Sequence, residues 1–453
     1  MSIIECGSCS DHQHRRVGSL SCYRQLDGDP RRHALTPDAP LALEGVRILD
    51  FSRIWAGPHA TKLLADMGAE VIKVESARAW DPHRMIDGSG NLPDGDPGPD
   101  RWNRSGWFNT LHLSKYGITV EIRRPRGKAI LEELVSVSDV VIENYRAGAM
   151  ERRGFGYERL RALRPDIVVV SMPALGNKGP WRDFIQYGIG QEQLGGIASM
   201  NGYLDRDGPV KSGVNFGDPV SGAHAAGAVL SALWRRRRTG RGAFIDLAQL
   251  ESSVSVIGEH IIGQQMDGVP PENRGNRHPV FAPHGAYRCA GEDRWVTIAV
   301  TTDDQWRTLC EALGSPELAD DPRYADILSR HENHDGLDAI ISAWTQGRDP
   351  YDVMHALQER GVPATPVMTG QDIFNDPHYQ DRGVLELVDH PSTGPYFIPG
   401  IAWKMSKTPG RVRWPSPRMG EHNERVFGDL LGMSAEAISG LADDGVTGTE
   451  PAG

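Results

Sequence analysis

Over most of the chain, apolar residues fall into short continuous runs separated by longer amphipathic stretches. Residues 46–51 form the first run; Gly57-Pro58 then opens a helical pattern through Leu63, Leu64 and Met67 that Gly68 closes. Residues 71–74 form a second run. Strand, turn, helix and strand in that order predict the repeating unit of a parallel sheet covered by helices. The rhythm continues with a strand over 118–122, a helix over 127–137, a strand over 140–143, a helix over 157–163 and a strand over 167–171. Valine-rich runs without polar alternation suit strands buried on both faces. A long helix over 219–234 and a strand over 244–247 follow.

Around residues 268–283 the pattern becomes loop-like, with Pro270-Pro271, Gly275 and Pro279, before a strand pair over 285–288 and 295–300 and further helices to about 360. The predicted class is therefore α/β. A Rossmann-like large domain with a parallel sheet is expected over 42–250, a linker over 251–275 and a smaller α/β domain over 276–368. Residues 369–453 are expected to return to the large domain. Residues 1–41 are polar and lack periodicity, and are read as a flexible N-terminal extension.

Composition narrows the function classes. Hydrophobic residues at 39% and charged residues at 24% of 453 positions describe a globular chain of two or three packing units. A net charge of −11 argues against non-specific nucleic-acid binding, yet leaves room for a local cluster of arginines around an anionic ligand. No apolar run approaches the ~20 residues that span a bilayer, so no membrane partner is expected. The start lacks the apolar core of a secretory signal. Five cysteines in so long a chain make no disulfide framework, which points to the cytoplasm. Cys6 and Cys9, with His12, His14 and Cys22, have the spacing of metal ligands, but no second pair follows and no metal is expected.

Three sequence features carry candidate chemistry. The turn 53–58 leads from a strand into a helix start, where free N–H groups favour an anion, and Glu75 ends the next strand where a dinucleotide fold places its ribose acid. Only Gly57 remains of a glycine fingerprint, which disfavours nicotinamide binding. Arg53, Lys115, Arg123, Arg124, Arg126, Arg146, Arg152 and Arg153 recur near strand ends and suit a phosphate-rich ligand such as a nucleotide or coenzyme A, although many must be ordinary solvated charges. The run 235–238 with Gly240 and Gly242 reads instead as the basic end and exit turn of a helix. Asp218 precedes Pro219 and a long helix, the pattern of a helix cap; it also follows Gly213, Asn215 and Gly217, which allow close approach of a ligand to a carboxylate. With a reference pKa near ~3.9, such a carboxylate is expected to be ionised and able to attack an activated acyl carbon.

In this order and spacing the segments 43–51, 56–58, 68–75, 143–148, 217–222 and 238–242 resemble the class III coenzyme A transferase family, which includes formyl-CoA transferase and carnitine CoA-transferase and is related to alpha-methylacyl-CoA racemase. The resemblance covers about 43–441. It implies that Asp218 is the catalytic carboxylate, attacking an acyl-CoA thioester to form an anhydride and then an aspartyl-CoA thioester. It implies coenzyme A contacts at Arg53, Ala56, Val120, Arg123, Asn144, Tyr145 and Arg152, with no permanently bound cofactor. Trp55 stands where formyl-CoA transferase has an active-site glutamine, which implies a bulkier or more apolar acyl group. Tyr187 and Gly188 stand where the racemase branch has its histidine and an acid, which disfavours proton exchange and leaves Tyr187 with Trp55 as substrate-binding positions. An interlocked homodimer, or a heteromer with a paralogue, is the implied assembly. The alternatives are a 2-methylacyl-CoA racemase and a non-catalytic CoA-binding subunit.

Overall fold

The computed structural model describes residues 39–85, 91–205, 208–270 and 272–452. The cysteine and histidine cluster at 6–14 and most of the expected N-terminal extension lie outside the described residues. Six strands, β1 (Arg47–Asp50), β2 (Glu70–Glu75), β3 (Lys115–Thr119), β4 (Val140–Glu143), β5 (Val168–Ser171) and β6 (Ala243–Asp246), form one sheet in the order β3-β2-β1-β4-β5-β6. Every pairing is parallel.

Alternate side chains of these strands feed two cores, because successive Cβ atoms point to opposite faces. Ile48, Val71, Val140 and Val168 pack with Ala60 and Leu64 of the helix Ala56–Asp66 and with Ala225 and Val229 of the helix Gly217–Thr239. Leu49, Ile72, Val141 and Val169 pack on the other face with Ile130 and Leu134 of the helix Pro125–Ser136. Val426, Phe427 and Leu441 from the C-terminal part join that second core. Gly240, at φ +68°, ends the long helix, and Arg236 turns back onto Asp139 at 2.8 Å, so the basic run is structural as expected.

A separate antiparallel sheet, β7 (His284–Arg288), β8 (Trp295–Ala299) and β9 (Ala364–Pro366), has its own core around Val296, Ile298, Trp306 and Leu357. A hairpin, β10 (Leu385–His390) and β11 (Gly394–Pro399), packs against Leu113.

Two sequence expectations need correction. Strand β3 lies at 115–119 and not 118–122, because it begins with a fully buried lysine that no apolar run announces. Lys115 therefore sits under the sheet edge instead of in a ligand loop: its Nζ donates to Asp50 Oδ2 at 3.2 Å, Thr61 Oγ1 at 2.7 Å and the Pro58 carbonyl at 3.0 Å. Glu75 also has a structural role, gripped by Arg84 at 2.7 Å; against the cost of burial, Arg84 and Lys73 hold its carboxyl at about 2. It has no capacity left for a ribose.

Lys115 ties the end of β1 to the first helix, and removing one partner of a buried ion pair leaves the other charge stranded. Lys115→Met is expected to lower the unfolding free energy by about 3 kcal/mol, read from the urea midpoint. An unchanged midpoint would show that the pair contributes nothing.

Candidate active site

The chain leaves β1 for β2 on one side and crosses from β3 to β4 on the other, so a crevice opens at the carboxyl ends of β1 and β4, where open α/β sheets bind ligands. The two strand ends are locked together there. The Arg53 N–H donates to Asn144 Oδ1 at 2.7 Å, and Asn144 Nδ2 donates to the Arg53 carbonyl at 2.8 Å. Ile54 follows at φ +69°, a region costly for a β-branched residue, with its N–H directed at the Asp81 carboxylate. Gly57 fits against this turn because a Cβ there would lie 2.2 Å from Ser52 Cβ. Trp55 is half-buried and meets Trp107 edge-on with ring centroids 5.0 Å apart.

Of the expected coenzyme A positions, Arg123, Tyr145 and Arg152 come together. With Lys128, Arg146 and Arg153 they line a cleft of about 740 Å³ between the loops after β3 and β4. The Arg153 guanidinium lies 5.2 Å over the Tyr145 ring, whose backbone N–H donates to buried Glu143 at 2.7 Å. Five cationic side chains around an aromatic ring suit phosphates beside a planar base. Arg53 and Asn144 bond to each other at the crevice floor, outside the cleft lining. Ala56 and Val120 have buried side chains, so each offers a ligand only its backbone. Arg126 is turned away, pairing with Asp444 at 3.2 Å.

Asp218 is buried, with 6% of its surface exposed. The cap expectation fails by two residues, since Phe216 occupies the cap position. The helix begins at Gly217, so Asp218 is its second residue and Pro219 its third. Proline is tolerated there because the N–H groups of a first turn have no partner within the helix. One turn on, Gly222 lies against the Ala56 carbonyl, where a Cβ would come within 2.7 Å, and this close approach brings the start of the long helix to the β1 turn.

Sequence reasoning missed the residues that surround the carboxylate. The short helix Gly188–Leu194 supplies Gln191, whose Oε1 lies against Gly217, where a Cβ would come within 2.5 Å, and Glu192, which is wholly buried. Glu192 accepts from the Phe216 N–H at 2.7 Å and from Ser212 Oγ at 2.8 Å, fixing the loop that delivers Asp218. Gln249 accepts from Gln191 Nε2 at 2.8 Å. At Gly188 a Cβ would stand 1.9 Å from Asp218 Oδ2, so a side chain there would displace the carboxylate. Tyr187 caps this helix with its ring mostly in solvent. The only prior signal was a polar triplet, 191–193, set between glycines.

Burial pushes the Asp218 carboxyl up to about 7; the Gln191 amide opposes this and the Glu192 charge adds to it. This lies well above the ordinary carboxylate range from which the sequence expectation of an ionised group starts. Its unfolded reference is 3.8, so the associated stability is fully present below about pH 4 and is lost as pH rises through about 7. Asp218→Asn is expected to raise stability over the parent at pH 8, by on the order of 2 kcal/mol, with the gain vanishing by pH 4. An equal difference in thermal midpoint at both pH values would contradict a buried titrating carboxyl.

Comparison with known proteins places these features in a family. The family model for CoA-transferase family III matches residues 43–423. The succinyl-CoA–D-citramalate CoA-transferase of Chloroflexus aurantiacus is 35% identical over 403 residues, covering 89% of this chain and 97% of that protein. The succinate–glutarate CoA-transferase of Agrobacterium fabrum is 34% identical, covering 87% and 97%. The crystal structure of a CAIB/BAIF family protein from Brucella suis superposes with a TM-score of 0.77 at 31% identity, covering 86% of this chain and all of that one. Among the described residues no helix is long and apolar enough to cross a membrane, and no group of three or more His, Cys, Asp or Glu is arranged to hold a metal. The chain belongs to CoA-transferase family III and is an enzyme of that class.

Proposed function

We propose that this transferase moves coenzyme A from a dicarboxylic acyl-CoA to a dicarboxylate acceptor, with Asp218 as the covalent nucleophile. The observation that carries the reading is a buried carboxylate, Asp218, held at a helix start on the sheet's switch-point side, with a cationic cleft on the same sheet edge. The Asp218 carboxylate attacks the thioester carbonyl, and the C–S bond breaks to give a mixed anhydride and CoA thiolate. The thiolate then attacks the Asp218 carbonyl, releasing the donor acid as carboxylate and leaving an aspartyl-CoA thioester. The acceptor carboxylate repeats the two steps in reverse, restoring Asp218 and leaving as its CoA thioester. Every step is an acyl exchange, so no redox cofactor and no net proton are required.

The cleft formed by Arg123, Tyr145, Arg152, Arg153 and Lys128 suits the phosphates and adenine of coenzyme A. For Arg53, Ala56, Val120 and Asn144, a coenzyme A contact rests on the family resemblance alone. The Trp55–Trp107 pair and Tyr187 suit an acyl group larger than formate, and the succinate, glutarate and citramalate named for the relatives make succinyl-CoA the first donor to try. Large exposed apolar side chains, including Trp181, Phe184, Ile185, Tyr187, Val214 and Phe216, cluster in the segments beside Asp218. A second copy of the chain covering them, interlocked as the resemblance implies, is the assembly this supports. The racemase reading loses support because Gly188 offers no acid and the Tyr187 ring faces solvent.

Two outcomes check this reading. With succinyl-CoA and a panel of dicarboxylates, the parent is expected to transfer CoA by ping-pong kinetics, while Asp218→Ala falls by at least about 10³-fold. Transfer by Asp218→Ala at the parental rate, or alpha-proton exchange in deuterated water without an acceptor, would overturn it. Arg152→Ala is expected to raise KM for the acyl-CoA about tenfold with kcat nearly unchanged, since a charged phosphate contact contributes about 1.5 kcal/mol to binding. A fall in kcat at constant KM would remove the phosphate role.

A further inference from the structure

We infer that Arg182, which stands outside the cleft lining, joins Arg152 in a guanidinium clamp for the diphosphate of coenzyme A. This deepens the transferase reading and rests on it for the identity of the ligand. The two side chains meet over Gly148, which holds φ +73°. Where a Cβ would stand on that glycine, Arg152 Nη1 lies 2.9 Å away and Arg182 Nη2 3.7 Å away. Two positive groups from different segments therefore converge on one place. Among the described residues neither of them pairs with a carboxylate, and nor do Arg123, Lys128 and Arg153 of the cleft. Like charges gathered without a counter-ion suit an anion supplied from outside, and paired guanidinium forks match the oxygens of a phosphate.

The segment that carries Arg182 is held at both ends. At its start the Asn177 backbone N–H and Nδ2 donate to Asp246 Oδ1 at 3.0 and 2.9 Å, and Nδ2 also donates to Ser171 Oγ at 3.0 Å. These anchors are the last residues of β5 and β6. At its end Gly188 lies against the Asp218 carboxylate, as its missing Cβ shows. Between them is a turn in which the Arg182 N–H donates to the Gly179 carbonyl at 3.3 Å and the Phe184 N–H to the Trp181 carbonyl at 2.9 Å. The turn leaves the Arg182 side chain exposed. Its neighbour Asp183 reaches Arg146 at 4.0 Å, which joins the segment to the cleft and leaves Arg182 its full charge. The choice of the diphosphate follows from the order of groups along coenzyme A, where it stands between the ribose phosphate and the thiol arm. Arg182 lies on the segment that runs to Asp218. Lys128, by contrast, is on the helix Pro125–Ser136, which packs on the opposite sheet face from the Asp218 helix, and its Nζ lies beside Gly154. The Arg152 end of the cleft therefore faces the reacting arm, and the Lys128 end suits the ribose phosphate.

The test is equilibrium binding of coenzyme A, and of dephospho-coenzyme A, which lacks only the ribose phosphate, by titration calorimetry without turnover. Arg182→Gln is expected to weaken both ligands about tenfold, since each loses the same charged hydrogen bond to phosphate. Arg182→Lys keeps the charge and is expected to weaken them no more than about threefold. Arg161→Gln removes an exposed arginine paired with Glu158 and is expected to change neither affinity. Parental affinity in Arg182→Gln overturns the clamp. So does an equal loss in the lysine and glutamine variants, which would make shape and not charge the cause, or an equal loss in Arg161→Gln, which would make it net charge. A loss with coenzyme A that disappears with dephospho-coenzyme A overturns it as well, because Arg182 would then serve the ribose phosphate. A parent that binds both ligands with these effects but transfers no CoA from succinyl-CoA would sink the transferase reading and leave the clamp standing.

Discussion

The contact on which the site depends is a backbone approach between two helices. Gly222 lies against the Ala56 carbonyl closely enough that a methyl group would stand 2.7 Å away. Through it the helix bearing Asp218 is brought to the turn after β1, and that turn is itself bolted to β4 by the paired Arg53 and Asn144 hydrogen bonds. Beneath the turn, Lys115, Asp50 and Thr61 fill the space with a buried polar cluster. In the proposed reaction, a carboxylate held this rigidly costs little reorganisation. The basic cleft lies on the same sheet edge, so one scaffold fixes both Asp218 and the cations.

The electrostatics of Asp218 work against its own ionisation. A carboxylate taken out of water is a stronger nucleophile and a less stable ion, and the same desolvation causes both. Glu192 adds to this while serving the loop; Gln191 offsets it. The result is a group poised near neutrality, as general acids, bases and nucleophiles often are, at a cost to the stability of the resting protein.

Legibility in the sequence followed the range of the interactions. Strands β4 and β5 were readable to within a residue because four consecutive buried side chains leave a local apolar signature. The ends of the helix Tyr157–Leu163 were equally plain. Lys115 was misread as a loop cation because its partners lie 54 and 65 residues away. The nucleophile role proposed for Asp218 came only from family resemblance; locally it resembled a cap, and its proton affinity depends on a helix 26 and 27 residues upstream. Gln191, Glu192 and Gln249 gave no periodic signal, since polar residues that satisfy one another inside a fold look in sequence like surface residues. The cleft arginines were visible as a class, but which of eight candidates faced the cleft was decided by chain topology.

The most direct measurement is to trap the covalent intermediate. The purified protein is incubated with succinyl-CoA and hydroxylamine, which cleaves an aspartyl thioester to a hydroxamate, and the Asp218 peptide is analysed by mass spectrometry. Hydroxamate on Asp218, dependent on succinyl-CoA and absent from Asp218→Asn, is the predicted result. Transfer of CoA with an unmodified Asp218 peptide would contradict the account.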